Sequence, residues 1–338
     1  RFAHGVSNPL EAKFIIVDES SMVDTDLMCD LLSAIPVGGH LLLVGDTNQL
    51  LPVGHGAPLR DIVAAGVPTG ELTEVRRNDG GIVQACHQIR GGEEFEYAAD
   101  HETNLRNVPF SECEDIGVLV SDVASHLGVH PVWDIQVVTA VNDKSNRSRR
   151  SLNKVLQQKL ITSSEQPGTP FRLGDKVCCT QNGWYAPIGE PGRGALLNQD
   201  GNVYVANGEI GSVQQFKGRR MVVELGSPDR TVLVPLGRTD GDGDTGCNWD
   251  LAYALSVHKS QGSEFKVVIV CLDDSPSANR VGDRAWVYTA ISRAKDLCIL
   301  WGNPATAHAW CRRNRINQRK TFLRDELVEQ LAMGEVVA

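Results

Sequence analysis

The stretch Phe14-Ile-Ile-Val-Asp-Glu-Ser-Ser21 decides how this chain is read, because four apolar residues end abruptly in two carboxylates. A short apolar run stopped by acids is expected to be a buried strand that carries Asp18 and Glu19 to the edge of a sheet. A second run, Leu41-Leu-Leu-Val-Gly-Asp-Thr-Asn-Gln-Leu50, ends in a polar cluster after a helix-length interval. Two parallel strands would then bring Asp18, Glu19, Asp46 and Gln49 to one edge, and the crevice outside the carboxyl ends of parallel strands is the usual ligand site of an open α/β sheet. There Asp18 suits a water-coordinated Mg²⁺, and Glu19 suits polarising a water that attacks a γ-phosphate. Taken alone, a solvated strand end is the commoner meaning of an apolar run followed by Asp-Glu.

Working outward, residues 14–66 read as strand, helix, strand, helix. Asp24 is placed to N-cap the helix carrying Leu27, Leu31 and Leu32, and Pro36 with Gly38-Gly39 ends it. A helix near Ile82 to Ile89, a strand Ile135 to Thr139 and a helix from about Ser145 to Leu160 follow. From about Phe171 to Leu236 the texture changes to short β-branched runs, among them Lys176-Val-Cys-Cys, Val203-Tyr-Val, Ile210-Gly-Ser-Val, Met221-Val-Val-Glu-Leu and Thr231-Val-Leu-Val. Gly, Asn and Asp punctuate them, which argues for a small antiparallel barrel. Pro187 to Gly194 and Asp240-Gly-Asp-Gly-Asp244 read as exposed loops. The second lacks the distal Glu of an EF-hand and is read as a linker. The α/β texture then returns in strands Ala252 to Val257, Val267 to Leu272 and Leu297 to Trp301, with final helices over Ala305 to Cys311 and Leu323 to Leu331.

With 338 residues, 41% apolar and 22% charged, the composition is that of two or three ordinary globular domains. No apolar run approaches the ~18 residues of a membrane span and no charged-then-apolar leader opens the chain, so neither a span nor a signal peptide is expected. Nine cysteines include no C-x-x-C pair, so reduced cytoplasmic thiols are expected and a zinc site is not. A net charge of −9 argues against phosphate contacts, but two basic runs stand out: Lys144, Arg147, Arg149, Arg150, Lys154 and Lys159, then Arg312, Arg313, Arg315, Arg319 and Lys320. A solvated helix face is the alternative for both.

The motifs DESSM, GDTNQLLPVG, LTEVRRND, VHKSQGSEF and VYTAISRAK stand in that order between Asp18 and Lys295. In this series the chain resembles the superfamily-one DNA helicases, and within them the RecD-like branch that includes the alpha chain of exonuclease V. The resemblance implies an α/β fold: RecA-like P-loop NTPase motor domains, the first one partial, with an inserted small SH3-like β-barrel. Residues 1–72 would be the end of the first motor domain, 73–170 with 247–338 the second, and 171–246 the barrel and linker. It also implies ATP and Mg²⁺ as cofactors, single-stranded DNA and other recombination subunits as partners, a cytoplasmic location, and 5′ to 3′ movement.

The same resemblance distributes roles. Asp18 would hold Mg²⁺, Glu19 would act on the attacking water, and Gln49 would sense the γ-phosphate. Arg77 and Arg293 would be the two γ-phosphate arginines, although Arg76 stands where a bulky apolar residue is usual. Gly262 would permit close backbone approach to the nucleotide and Glu264 would bond its ribose, while Thr139, His258 and Ser260 would face DNA. No G-x-x-x-x-G-K-[ST] loop occurs anywhere in the 338 residues. The chain is therefore expected to be a fragment that does not hydrolyse ATP alone. A non-catalytic DNA- or partner-binding module, or the helicase portion of a conjugative relaxase, are the other readings. No further acid-and-lysine cluster points to strand cleavage.

Overall fold

A computed structural model of the chain describes residues 2–72, 80–98, 103–110, 112–113, 115–237 and 245–333. In chain order its strands are β1 Phe14–Val17, β2 His40–Leu43, β3 Leu105–Val108, β4 Ile135–Thr139, β5 Lys176–Cys179, β6 Gly183–Pro187 and β7 Val203–Val205. They continue with β8 Ile210–Phe216, β9 Arg220–Gly226, β10 Asp229–Pro235, β11 Trp249–Leu251, β12 Ala254–Ser256, β13 Phe265–Leu272 and β14 Ala294–Gly302. The chain divides into two compact units. The first comprises Arg1–Glu96, Gly282–Ser292 and Ala307–Ala338, the second Tyr97–Val281 and Arg293–Thr306.

In the first unit β1 and β2 pair in parallel, with Phe14 opposite His40 and Val17 opposite Leu43. The helix Thr25–Ala34 lies between them in sequence, and the Asp24 carboxylate caps it by accepting from the Leu27 N–H at 2.9 Å. The strand pair leaves one side open: Phe14 and Ile16 are each 59% exposed and Leu42 45%. The helix Gly80–Gly91 packs on Arg284–Ile291, and Leu323–Met333 packs on Pro58–Ala64. The fully buried rings of Trp286 and Trp310 meet edge to face at 4.9 Å.

The second unit holds a five-stranded parallel sheet in the order β12-β4-β13-β14-β3. Strand β4 is buried at every position and β13 at every position but Lys266, as expected of parallel strands covered on both faces. A seven-stranded antiparallel sheet, β11-β5-β8-β9-β10-β6-β7, carries the β-branched region. Along β10 the alternation is clean, with Arg230, Val232 and Val234 inward. All five strands read from that region form. The reading missed β6, whose Gly183 and Pro187 look like turn residues, and β3 and β11; and Val257 starts a short helix, Val257–Ser260, instead of ending a strand. Strands β11 and β7 stand at the two ends of the sheet order.

A buried polar cluster ties β5 to this parallel sheet. The Lys176 ammonium donates to the Val132 carbonyl (2.9 Å) and to Gln136 Oε1 (3.0 Å). Next to it, Asp175 accepts from Gln157 Nε2 and from the Tyr253 hydroxyl, both at 2.7 Å. Burial pushes the Lys176 ammonium down to about 7 against the pull of Asp134, and burial raises the Asp175 carboxyl.

Candidate functional site

The parallel register of β1 and β2 places Asp18 and Glu19 at one strand end beside Gly45 and Asp46 at the other. Val44 N–H donates to the Val17 carbonyl, and Ser20 N–H and its hydroxyl both donate to the Val44 carbonyl, each at 2.8 Å. Gly45 is required here, because a Cβ would lie 2.9 Å from Ser20 Oγ and from Ser21 N. Asp18 is exposed and spends one carboxylate oxygen on the Glu19 N–H at 2.8 Å. Glu19 itself sits at φ 50, ψ 35, a left-handed conformation that non-glycine residues adopt at a cost and that recurs at functional sites.

Beyond Asp46 the chain turns. Asp46 Oδ1 accepts from the Asn48 N–H (2.9 Å) and side-chain amide (3.1 Å), and the Gln49 N–H donates to the Asp46 carbonyl at 3.2 Å. Gln49 is buried, and its Oε1 has no hydrogen-bond partner among the described residues; the same holds for the buried Ser21 hydroxyl. Both line one cleft together with Val23, Asp46, Leu50 and Arg60. Tyr288 donates its hydroxyl to Asp46 Oδ2 at 2.6 Å, and the Leu50 N–H donates to the Thr289 hydroxyl at 3.0 Å. Burial and the neighbouring Asp46 charge both raise the Tyr288 phenol. The loop after Gln49 is held by Arg319, whose Nη1 donates to the carbonyls of Pro52 (2.8 Å), Gly54 (2.8 Å) and Gly56 (2.7 Å).

In the second unit, pairing of β13 with β14 sets Phe265 opposite Ala294 and so joins two distant motifs. The Phe265 N–H donates to the Arg293 carbonyl at 3.0 Å, and Arg293 Nη1 points to the Ser263 carbonyl at 3.4 Å. Arg293 is fully buried. Gly262 adopts φ 74, which only glycine takes without strain, and Glu264 pairs with the Lys295 ammonium at 2.9 Å.

Strands β12 and β4 bring the three expected DNA-facing residues to one edge, Ser256 opposite Thr139 and His258 two residues on. Thr139 and Ser260 are fully buried, and their hydroxyls donate to the carbonyls of Arg147 (2.8 Å) and Val257 (2.9 Å). His258 keeps partial exposure, with burial lowering its pKa. Much of the two basic runs is spent internally. Arg147 stacks on Phe110 and donates to the Leu272 carbonyl, Arg149 pairs with Asp250 at 2.7 Å, and Arg319 holds the loop described above. Arg150, Lys154 and Lys159 stay exposed. Arg76 and Arg77 lie outside the described residues. Sequence reasoning missed Ser21, Tyr288, Thr289 and Arg319; Ser21, Tyr288 and Thr289 stood inside motifs already singled out, and no local periodicity marks their role.

A family model described as an AAA domain matches residues 5–106, and one described as a UvrD-like helicase C-terminal domain matches residues 251–301. The ATP-dependent RecD2 DNA helicase of Deinococcus radiodurans is 32% identical over 317 residues, covering 91% of this chain and 38% of its own length. The RecBCD enzyme subunit RecD of Mycobacterium tuberculosis is 29% identical over 344 residues, with 91% and 52% covered. A probable conjugal transfer protein TraA of Sinorhizobium fredii is 26% identical over 294 residues, with 85% and 24% covered. The chain thus spans about half or less of the curated relatives it matches. A crystal structure of the Pif1 helicase from Candida albicans aligns with 91% of this chain and 76% of its own at 19% identity, with a TM-score of 0.48. Over most of its length the chain is thus similar to RecD-type DNA helicases, at 32% and 29% identity to the RecD2 and RecD relatives.

Proposed function

We propose that the chain is the motor portion of an ATP- and Mg²⁺-dependent DNA helicase or translocase of RecD type, acting on single-stranded DNA. The observation that supports this most is the convergence of motif residues on carboxyl ends of parallel strands: Asp18 and Glu19 beside Asp46 and Gln49. Movement from 5′ to 3′ and assembly with other recombination subunits follow from the family branch alone.

Among the described residues no group of three or more His, Cys, Asp or Glu is placed to hold a metal. Mg²⁺ fits such a place, since it keeps several waters and takes one or two carboxylates together with substrate phosphates. Asp18 would hold it, and the ion would supply charge neutralisation at the phosphates. Glu19 would then accept a proton from the attacking water, with the Gln49 amide orienting that water. Arg293 would add charge stabilisation at the γ-phosphate, and Arg77 is proposed beside it. Gly262 would let the backbone approach the nucleotide and Glu264 would bond the ribose.

For DNA, the partly exposed His258 is the proposed contact, with Thr139 and Ser260 shaping the same strand edge. Such contacts fix register without reading sequence. Fluorescence anisotropy with labelled single strands at two salt concentrations tests this. Weak, sequence-tolerant binding that falls steeply with salt is expected, reduced in His258→Ala and in the Thr139→Ala, His258→Ala double variant. Unchanged affinity and salt slope in both variants would move the DNA site elsewhere. A DNA-binding platform without catalysis is favoured by one observation, the absence of a phosphate loop from the sequence. It predicts that Glu19→Gln never matters, even when a phosphate loop is joined to the chain.

A further inference from the structure

Gln49 sits in a turn whose ends are both held by one helix. Three residues before it, Asp46 uses one carboxylate oxygen to shape the turn and the other to accept from Tyr288 at 2.6 Å. One residue after it, the Leu50 N–H donates to Thr289 at 3.0 Å. Tyr288 and Thr289 are consecutive residues of the helix Arg284–Ile291, and Thr289 is fully buried. All of these residues belong to the first unit.

The state of Gln49 makes these two bonds matter. Its Oε1 is buried without a partner in a cleft that also holds the unpartnered Ser21 hydroxyl. An unsatisfied buried amide oxygen disfavours its own placement, so a turn left to itself would rotate Gln49 toward solvent. Something outside the turn has to fix it, and the hydroxyls of Tyr288 and Thr289 are the groups seated at its two ends.

We infer that Tyr288 and Thr289 are positioning residues that hold Gln49 aimed into the cleft, acting through Asp46 and Leu50. The role rests on the reading of Gln49 as the residue that orients the attacking water. Two hydroxyls on one helix give the turn two distinct anchors: loss of either leaves the helix packed while the amide swings. A helix that shifted by even part of a turn would release both together, so the position of this helix sets whether Gln49 is presented.

The test uses the whole chain, labelled on glutamine side-chain amides, with the Gln49 resonance assigned from its loss in Gln49→Asn. Gln136, buried and bonded to the Tyr253 carbonyl at 2.9 Å in the second unit, is the internal reference. Tyr288→Phe and Thr289→Val should each shift the Gln49 resonance and leave that of Gln136 in place, and Thr289→Ser should restore the wild-type position. Exchange of the Leu50 amide should rise by about tenfold in Thr289→Val, the equivalent of one hydrogen bond. An unmoved Gln49 resonance in Tyr288→Phe and Thr289→Val overturns the inference, because the contacts would then hold backbone only. Should Thr289→Val lose its native spectrum, Tyr288→Phe decides alone, since it deletes one hydroxyl from a ring that stays packed. The readout needs no nucleotide. Normal ATP turnover by Gln49→Ala, measured with a phosphate loop joined to the chain, would sink the water-orienting reading and leave the positioning result standing.

Discussion

Strand β1 alternates between exposed and half-buried positions, leaving Phe14 and Ile16 each 59% exposed, whereas β4 in the other parallel sheet is buried at all five of its residues. The polar groups at the strand ends differ in the same sense. At the end of β1, Asp18 is exposed and Glu19 half-buried, and Gln49 nearby keeps an amide oxygen without a partner. At the carboxyl ends of β4 and β12, Thr139 and Ser260 are fully buried and donate to backbone carbonyls, and at the amino end of β14 the fully buried Arg293 points to the Ser263 carbonyl. The first region presents its chemistry, whereas in the second Thr139 and Ser260 spend theirs on fixing their own loops. Polar residues at the carboxyl ends of parallel strands are therefore not uniformly a binding surface, even within one chain.

The sharpest way to break this contrast is by core truncation. Ile269→Ala, inside the fully covered β13, is expected to cost about 2–5 kcal/mol, while Ile16→Ala should stay within about 0.5 kcal/mol. Urea unfolding of both variants measures it, and an equally large loss from Ile16→Ala would mean that the open side of β1 is covered in solution.

A somewhat smaller effect is expected at the loop after Gln49. Arg319→Ala removes a guanidinium that donates to three carbonyls and should lower the stability of the first unit by about 1.5–3 kcal/mol. Unfolding followed by Trp fluorescence should show it, and Arg319→Lys should recover only part, because a lysine ammonium sits one bond closer to the backbone than the Nη1 that reaches the three carbonyls. Gly45→Ala, which drives a methyl against Ser20 and Ser21, is expected to cost about 1–3 kcal/mol. A neutral Gly45→Ala would show that the two strand ends are looser than described.

The effect that is smallest at any one pH step sharpens the description of the second unit. Lys176 is protonated more readily in the unfolded chain than in the fold, where burial holds it at about 7. Between that value and the ordinary lysine range the unfolded state binds more protons, so stability from this group rises with pH and levels off above it. Below about 7 both states are charged and the cost of the buried cation is fully present. The slope is at most about 1.4 kcal/mol per pH unit. Lys176→Met should flatten that window relative to wild type in pH-dependent urea titrations. Parallel curves would mean that the ammonium stays charged in the fold.

How far the sequence reached follows the same division. Where a feature is local it was legible: the carboxylates that stop β1, the cap at Asp24, the apolar runs of β4, β13 and β14. The separate roles of Arg293, Gly262 and Glu264 came from the resemblance, and their nearness in space follows from the register of β13 on β14, which no local pattern shows. The pairing of Tyr288 with Asp46 joins residues 242 apart and leaves no periodic trace. The fate of Arg147 and Arg149 was hidden for a related reason. A basic run in sequence says nothing about whether Phe110, Leu272 or Asp250 will claim its members.

ATP turnover in the presence of Mg²⁺ and single-stranded DNA tests the presented edge most directly, measured for the chain, for the chain joined to a phosphate-loop segment, and for Glu19→Gln in both. The chain alone should show no turnover above its Glu19→Gln control, and the joined form should hydrolyse ATP and lose at least about 100-fold on Glu19→Gln. Equal turnover with and without the Glu19 carboxylate in the joined form would contradict the assignment of the β1 edge as the hydrolytic site.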